Sequence, residues 1–320
     1  MGAWRSGGSR EPNSSMLRVL RVVSRLALLL QNHASALISR SPARRVILGV
    51  DFTSAPGPRK AISVARAALT GNQLEVTAID QLTSFADFES LLRTPGPWVG
   101  GFDFPFGLPR ELVVTLGWPQ EWSHLVSHIQ SIGKEAFKDA LNSVRESRPM
   151  GSRYIARRGD AAAGSSSPMK LVNPPVGLMF FEGVPRLLAA GVCVHPCAPS
   201  QDSRIALEAY PGYLARQITR ASYKKDGKEG ARPDRCEARV EIVEAMTSGH
   251  ASVAPIELVL PTALKNACVD DGSGDCLDAV ICAVQAAIAG VCSAAAGDKY
   301  GIPTYADPLE GWIVTVSASC

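Results

Sequence analysis

The chain has 320 residues, of which 46% are hydrophobic and 20% charged, a composition typical of a globular protein with a large core. No segment consists of about 18 consecutive apolar, uncharged residues, the length that a membrane-spanning helix needs, so the sequence predicts neither a transmembrane protein nor a membrane partner. The 8 cysteines include no CxxC pair, and several lie in apolar runs, which favours free thiols over a disulfide framework.

Residues 1–45 differ in composition from the rest of the chain. They contain eight arginines and one acid, and Arg18, Arg21 and Arg25 share one face of an amphipathic stretch. We interpret the segment as a disordered or targeting-like extension that resembles an organellar transit peptide. The alternatives are a surface helix, or an over-extended start that precedes Met16. The protein is therefore expected in the cytoplasm, or in an organelle if residues 1–45 are a transit peptide.

The remainder, residues 46–320, is predicted to be one domain. Because the whole chain carries a net charge of +3 and residues 1–45 carry +7, this domain carries −4. A protein that wraps long stretches of nucleic acid normally presents a basic body or stripe. The mildly acidic body excludes that class and confines any nucleic-acid contact to a local patch.

The first half of the domain shows four apolar strand patterns, two of which are joined by the hairpin turn Gly71-Asn72. Strands are predicted at residues 46–52, 61–69, 73–82 and 98–103, and a helix at 84–93. Strand, hairpin, helix and strand is the opening order of an RNase H-like fold. We therefore predict an α/β fold with a mixed sheet, which starts with three antiparallel strands, continues with parallel strands and is flanked by helices.

The second half is predicted to be mostly helical. Helices are expected at residues 121–148, 176–191, 234–248 and 273–290, and strands at 204–210 and 311–316. Residues 149–175 lack an apolar period and are rich in Arg, Gly, Ala and Ser. This segment is expected to be a mobile, Arg-rich insertion.

Three acids stand where a predicted strand ends: Asp51, Asp103 and Glu208. In open α/β sheets, ligands bind at the carboxyl ends of the strands. An acid within an apolar strand is costly unless a cation or hydrogen bonds compensate its charge. One such acid is often a structural hydrogen-bond acceptor, but three in one domain favour a shared cation.

Two further acids, Asp275 and Asp278, lie three residues apart on the predicted helix at 273–290 and share one of its faces. Asp275 has a second explanation, because acids are favoured in the first turn of a helix. Asp278 lies among apolar neighbours, where an uncompensated charge would be unfavourable. We therefore expect Asp278 to belong to the same site as Asp51.

Five motifs in this chain resemble, in the same order, those of the domain of unknown function 429 (DUF 429) family, which is regarded as predicted nucleases of RNase H fold. The similarity runs from about residue 46 to residue 316. The resemblance implies an acidic set of Asp51, Asp103, Glu208 and Asp278, which Asp275 could join. The motifs are Gly49-Val-Asp51, Phe102-Asp103-Phe-Pro105-Phe-Gly107-Leu-Pro109, Glu208-Ala-Tyr-Pro211, Asp275-Cys-Leu-Asp278-Ala279 and Glu310-Gly-Trp-Ile313.

The chemistry of such an acidic set fits a metal-dependent nuclease or phosphodiesterase. Two Mg²⁺ or Mn²⁺ ions about 4 Å apart can activate a water and stabilise the leaving oxygen of a phosphodiester. Asp51, on the first strand, is expected to bridge the ions, and the other acids to complete their coordination. Glu310 could orient a ligand or the attacking water, or be a surface acid.

A local basic cluster could contact nucleic acid or a nucleotide. Its members lie in and before the predicted mobile segment: Arg145, Arg148, Arg153, Arg157 and Arg158. Next to a metal site such residues would clamp phosphates, although clusters of this kind are more often solvated surface. Tyr154, Tyr210 and Tyr223 could stack on bases, with Tyr210 the best candidate for a core residue instead.

Two other function classes remain open. Sugar kinases and actin-like ATPases use a related core, and Asp51-Phe-Thr53-Ser54 allows a phosphate-binding turn of that type, although Pro105 follows Asp103 where a second turn is expected. The protein could also be a non-catalytic binding protein that keeps the fold. A zinc site at Cys193-Val-His195-Pro-Cys197 lacks an evident fourth ligand.

Overall fold

The fold is built on a short apolar strand, Arg45–Asp51, whose side chains from Ile47 onward are buried. The computed structural model describes residues 44–224, 232–250, 253, 255–296 and 299–316. Within these residues the strands are β1 (Arg45–Asp51), β2 (Ile62–Thr70), β3 (Gln73–Leu82), β4 (Trp98–Asp103), β5 (Cys193–His195), β6 (Arg204–Glu208) and β7 (Glu257–Val259).

These strands form one mixed sheet in the order β5-β6-β4-β1-β2-β3-β7. β1, β2 and β3 pair antiparallel, whereas β4 is parallel to β1 and to β6, β5 is parallel to β6, and β7 is parallel to β3. In the register of β1 and β4, Asp51 lies directly opposite Asp103. The predicted mixed sheet, with an antiparallel start followed by parallel strands, is confirmed.

Helices cover both faces of the sheet, as expected for an α/β fold. They are α1 (Phe85–Leu92), α2 (Arg110–Thr115), α3 (Trp122–Ser147), α4 (Arg158–Ala163), α5 (Val176–Ala190), α6 (Pro211–Ile218), α7 (Pro233–Thr247), α8 (Thr262–Asp270) and α9 (Asp275–Ala296). Residues of β1 alternate between two cores. Ile47 packs with α9 on one face, and Leu48 and Val50 pack with α1 and α3 on the other.

Three of the differences from the sequence-based predictions lie in the second half of the domain. The segment 149–175 contains the helix α4 and is not loop throughout. Strand β6 ends at Glu208 rather than at residue 210, because Pro211 begins α6. Residues 311–316 do not form a strand, since Gly311 and Thr315 have φ angles of 76° and 68°, and only Ile313 forms a β-bridge, to Glu208.

Helix α9 is the one described helix long and apolar enough to span a membrane, over Asp275–Cys292. It carries two acids in its first turn, and 78% of this window is buried inside the protein. These features identify α9 as a core helix packed on the sheet. Within the described residues the cysteines are free, as predicted. The predicted extension lies, up to residue 43, outside the described residues, and the chain from Arg44 onward forms one compact unit.

Candidate metal centre

Asp51, Asp103 and Asp278 meet at the carboxyl ends of β1 and β4. Each offers a carboxylate oxygen, and these oxygens all lie within 4.8 Å of one another. Asp51 is 6% exposed and Asp278 is fully buried. The two strand-end acids come together because β1 and β4 are parallel neighbours in register, and α9 brings Asp278 over the same edge.

Two glycines allow α9 to lie close enough for this arrangement. A Cβ atom at Gly49 would lie 2.0 Å from the carbonyl oxygen of Ala279, and one at Gly101 would lie 2.4 Å from that of Cys282. Both positions face the helix backbone, which cannot rotate away as a side chain can. The glycines on β1 and β4 therefore determine how closely Asp278 approaches the strand-end acids.

Burial makes the ionised state of this group costly. It raises the pKa of Asp51 well above its ordinary value, the negative charge of Asp275 raises that pKa further, and the ammonium of Lys224 opposes both effects. Burial also raises the pKa of Asp103, to about 6, against the opposing attraction of Lys224. Three convergent carboxylate oxygens that repel one another, two on buried residues and one on the half-buried Asp103, are the donor set that a hard divalent cation would stabilise, so the residues fit such an ion.

Asp278 already has two partners. The hydroxyl of Tyr223 donates a hydrogen bond of 2.7 Å to Asp278 Oδ1, and Lys224 forms an ion pair with Asp278 Oδ2. Helix α7 holds this Tyr-Lys pair in place, because Arg239 donates to the carbonyl of Tyr223 (2.9 Å) and Arg235 to the carbonyl of Lys224 (2.7 Å). An ammonium group thus lies beside the carboxylates.

Glu208 does not join the three aspartates. Its carboxylate accepts two hydrogen bonds from Arg157, of 2.6 and 2.8 Å, and one of 2.9 Å from the backbone N–H of Phe106. Arg157 is 2% exposed and also pairs with Asp160 at 2.7 Å. Glu208 thus stands apart from the three aspartates: its charge is compensated by a buried guanidinium, and ligating an ion would break that pair, so its role as a metal ligand stays a prediction.

Asp275 also lies outside the group and pairs with Lys60 over 2.5 Å. Burial lowers the pKa of Lys60, but its hydrogen bond to Asp275 and the charge of Asp51 outweigh this and raise it overall. Glu310 accepts hydrogen bonds from the backbone N–H groups of Arg110 (2.9 Å) and Arg158 (3.0 Å). The carboxylate of Glu310 thus links the first residues of α2 and α4, and this structural role explains its position.

The arginines predicted to clamp phosphates are dispersed. Arg145 pairs with Glu146 at 3.0 Å and Arg148 with Glu111 at 2.6 Å, both at the protein surface. Arg153 is exposed, whereas Arg157 is buried. Contact with nucleic acid through this cluster stays a prediction. Cys193, His195 and Cys197 do not form a group of convergent metal ligands within the described part of the chain.

A cavity of about 430 Å³, which we call the side cavity, opens beside the aspartates. Asp103, Tyr223 and Lys224 line one part of it, so it is continuous with the candidate metal centre. The Arg157–Glu208 pair contributes to another part of its wall. Sequence analysis identified Tyr223 only as a possible stacking residue, and no local pattern distinguished Lys224.

Comparisons of the chain with models of protein families, with curated proteins and with solved structures found no match.

Proposed function

We propose that this protein is a divalent-metal-dependent phosphodiester hydrolase of RNase H-like fold, with Asp51, Asp103 and Asp278 holding its ion. The observation that carries the proposal is the convergence of these three carboxylates, two on buried residues and that of Asp103 on a half-buried one, within 4.8 Å at the carboxyl ends of two parallel strands. The sheet order supports the fold assignment, because a central β1 lies between an antiparallel hairpin and a run of parallel strands.

The residues around the ion have separate roles in this proposal. Bound by the aspartates, Mg²⁺ or Mn²⁺ would supply a Lewis acid that activates a water and stabilises the charge on the leaving oxygen. Tyr223 orients Asp278 through its hydrogen bond. Lys224 neutralises Asp278 while no other cation does so, and is 37% exposed. Once freed from Asp278, its ammonium is available to a phosphate oxygen.

We propose a single ion rather than the two expected from the sequence. The acids that would complete a second coordination sphere are Glu208 and Asp275, and each is already paired with a cation of the protein. Breaking the buried pair of Arg157 and Glu208 would leave a guanidinium without its partner, at a cost of about 3–5 kcal/mol. Three carboxylates and several waters satisfy one Mg²⁺.

One observation favours a second candidate, a non-catalytic binding protein. The ion pair between Lys224 and Asp278 already compensates one carboxylate without any metal. In that case the ammonium would be a permanent part of the site, and the side cavity would bind its ligand without hydrolysing it. Substitution of Lys224 separates the two candidates, as argued in the Discussion.

The test of the proposed function is a cleavage assay with Mn²⁺ on branched, single-stranded and RNA–DNA hybrid substrates, comparing the wild type with Asp51→Asn. We expect metal-dependent cleavage of at least one substrate, and its loss in the variant, because the amide keeps the shape of the carboxylate but not its charge. Cleavage that is equal in both proteins would come from a contaminant. No cleavage in the wild type, under conditions in which it binds Mn²⁺, would contradict the proposal.

A further inference from the structure

We propose that the side cavity binds one nucleoside monophosphate unit, either as a free nucleotide or as the terminal residue of a single strand. This inference rests on the proposed function and specifies its substrate class. Pockets for small molecules typically measure about 300–1,000 Å³, and the side cavity, at about 430 Å³, lies within that range. Its lining combines charged groups with apolar ones, as a nucleotide does.

The end beside the aspartates suits a single phosphate. Lys224 and Arg157 are the basic residues among the described residues that line the side cavity. Arg157 is neutralised by Asp160 and Glu208, and only 2% of its side chain is exposed. Lys224, whose side chain is 37% exposed, is therefore the cation that can meet an incoming anion. Among the described residues of this wall, no second positive charge is open to the further phosphates of a polyphosphate chain.

The apolar part of the lining suits a planar, largely apolar group. Pro174, Val176 and Met179, at the beginning of α5, contribute apolar side chains to the wall. Val176 and Met179 are only half-buried, so they are open to a ligand. Tyr210 also lines the cavity, with the guanidinium of Arg216 5.1 Å from its ring centroid and donating to its hydroxyl. A base enclosed by these groups would gain stacking and apolar contacts.

The same features argue against an internal segment of a duplex. A duplex is held mainly by several basic groups along its phosphates, and Lys224 is the one open cation among the described residues of this lining. Bases in a duplex are also stacked and paired, so none could enter a concave cavity without being extruded, which is unfavourable. A free nucleotide or a frayed single-stranded end avoids this cost.

The experiment measures binding rather than turnover, by calorimetric titration in the presence of Ca²⁺. The probes are adenosine 5′-monophosphate, ribose 5-phosphate, inorganic phosphate, a short single-stranded oligonucleotide and a blunt duplex. The test variant is Met179→Glu, which places a charge among the apolar residues of the lining. Met179→Leu keeps an apolar side chain there, and Met150→Glu makes the same change at a residue that is 85% exposed.

We expect the nucleotide to bind at least about tenfold more tightly than ribose 5-phosphate, as one stacked base allows. This preference should disappear in Met179→Glu and persist in Met179→Leu and Met150→Glu. If the oligonucleotide binds in competition with the nucleotide, the ligand of the side cavity is a strand end. If the oligonucleotide does not bind, the ligand is a free nucleotide.

Equal affinity for nucleotide, ribose 5-phosphate and inorganic phosphate would overturn the inference, as would a preference that Met179→Glu leaves intact or a preference for the duplex. These results are independent of hydrolysis. Nucleotide binding without metal-dependent cleavage would contradict the proposed function alone, whereas cleavage without a base preference would contradict this inference alone.

Discussion

A Cβ atom on Gly49 would lie 2.0 Å from the carbonyl oxygen of Ala279, so the backbones of β1 and α9 are in contact at this point. Gly49 lies two residues before Asp51, and Ala279 directly follows Asp278. The close approach of the two elements is thus what brings these two aspartates together. The candidate metal centre depends on a residue that has no side chain and contacts no ligand.

We expect Gly49→Ala to destabilise the protein and to weaken divalent-metal binding together. Overpacking a core typically costs about 1–3 kcal/mol, and the upper end applies here because the obstructing atoms belong to a helix backbone. Helix α9 would have to move outward and carry Asp278 with it. Chemical unfolding and Mn²⁺ titration measure the two effects. Gly57→Ala is the matched control, since a Cβ there meets nothing within 4 Å; equal behaviour of the two variants would refute the role of Gly49.

Arg157→Leu should be strongly destabilising. The guanidinium is buried between Asp160 and Glu208, and its loss leaves two buried carboxylates without a cation. Removing one partner of a buried ion pair typically costs about 3–5 kcal/mol. The measurement is the free energy of unfolding in urea, with Arg153→Leu as the control at an exposed arginine of the same segment. A cost below about 1 kcal/mol would show that the pair is not structural.

The sequence was sufficient to predict the mixed sheet and the aspartates that converge. Apolar runs that end in an acid identified β1 and β4, and pairing in parallel placed Asp51 and Asp103 at one edge. The apolar surroundings of Asp278 correctly indicated a buried charge. These signals are local, because each depends on the few residues around the acid and on the period of its own element.

The partners of the acids could not be predicted, because they are distant in sequence. Arg157 lies 51 residues before Glu208, in a segment without an apolar period, so no pattern linked the two. Arg239 lies in the helix predicted at 234–248, where no local pattern indicated burial, yet it is 1% exposed and holds the backbone of Tyr223. Which acid binds an ion and which binds an arginine is decided by tertiary packing.

Lys224→Met should bind Mn²⁺ more tightly than the wild type and adenosine 5′-monophosphate more weakly. Its ammonium competes with an incoming cation for Asp278, and removing a positive charge a few ångströms away is worth about 1–4 kcal/mol at the effective dielectric of a protein surface. In the variant, the phosphate of the nucleotide loses its attraction to the same ammonium group, so the nucleotide binds more weakly. Calorimetric titrations measure both affinities.

Lys265→Met is the control for Lys224→Met, because it removes a lysine of α8 that does not line the side cavity. Unchanged Mn²⁺ affinity in Lys224→Met, together with a large loss of stability, would instead show that Lys224 is the permanent cation of the site. That outcome would favour the non-catalytic binding protein.

Binding of Mn²⁺ should weaken as the pH falls through about 6. The pKa of Asp103 is raised to about 6 and that of Asp51 is also raised, so the metal must displace protons that these groups hold at lower pH. Each displaced proton reduces the apparent affinity about tenfold per pH unit below the pKa. Titrations between about pH 5 and pH 7 measure this slope, and a pH-independent affinity would contradict it.

The same pKa shifts affect stability in the metal-free protein. Because the folded state holds protons on Asp103 more tightly than the unfolded state, the contribution of this group to stability falls as the pH rises from about 4 to about 6 and is constant above. Saturating Mn²⁺ stabilises the ionised carboxylates, so its stabilising effect should be largest above pH 6. Thermal unfolding with and without Mn²⁺ across this range shows whether the stability of the metal-free protein falls, and the stabilisation by Mn²⁺ grows, as the pH rises.

The most direct test is to titrate the full chain with Mn²⁺, using electron paramagnetic resonance to count bound ions. We predict a single tight ion per chain, with its affinity reduced at least about tenfold in each of Asp51→Asn, Asp103→Asn and Asp278→Asn, and unchanged in the surface control Asp139→Asn. Wild-type affinity in the three variants, or no tight ion in the wild type, would contradict a metal centre at these aspartates.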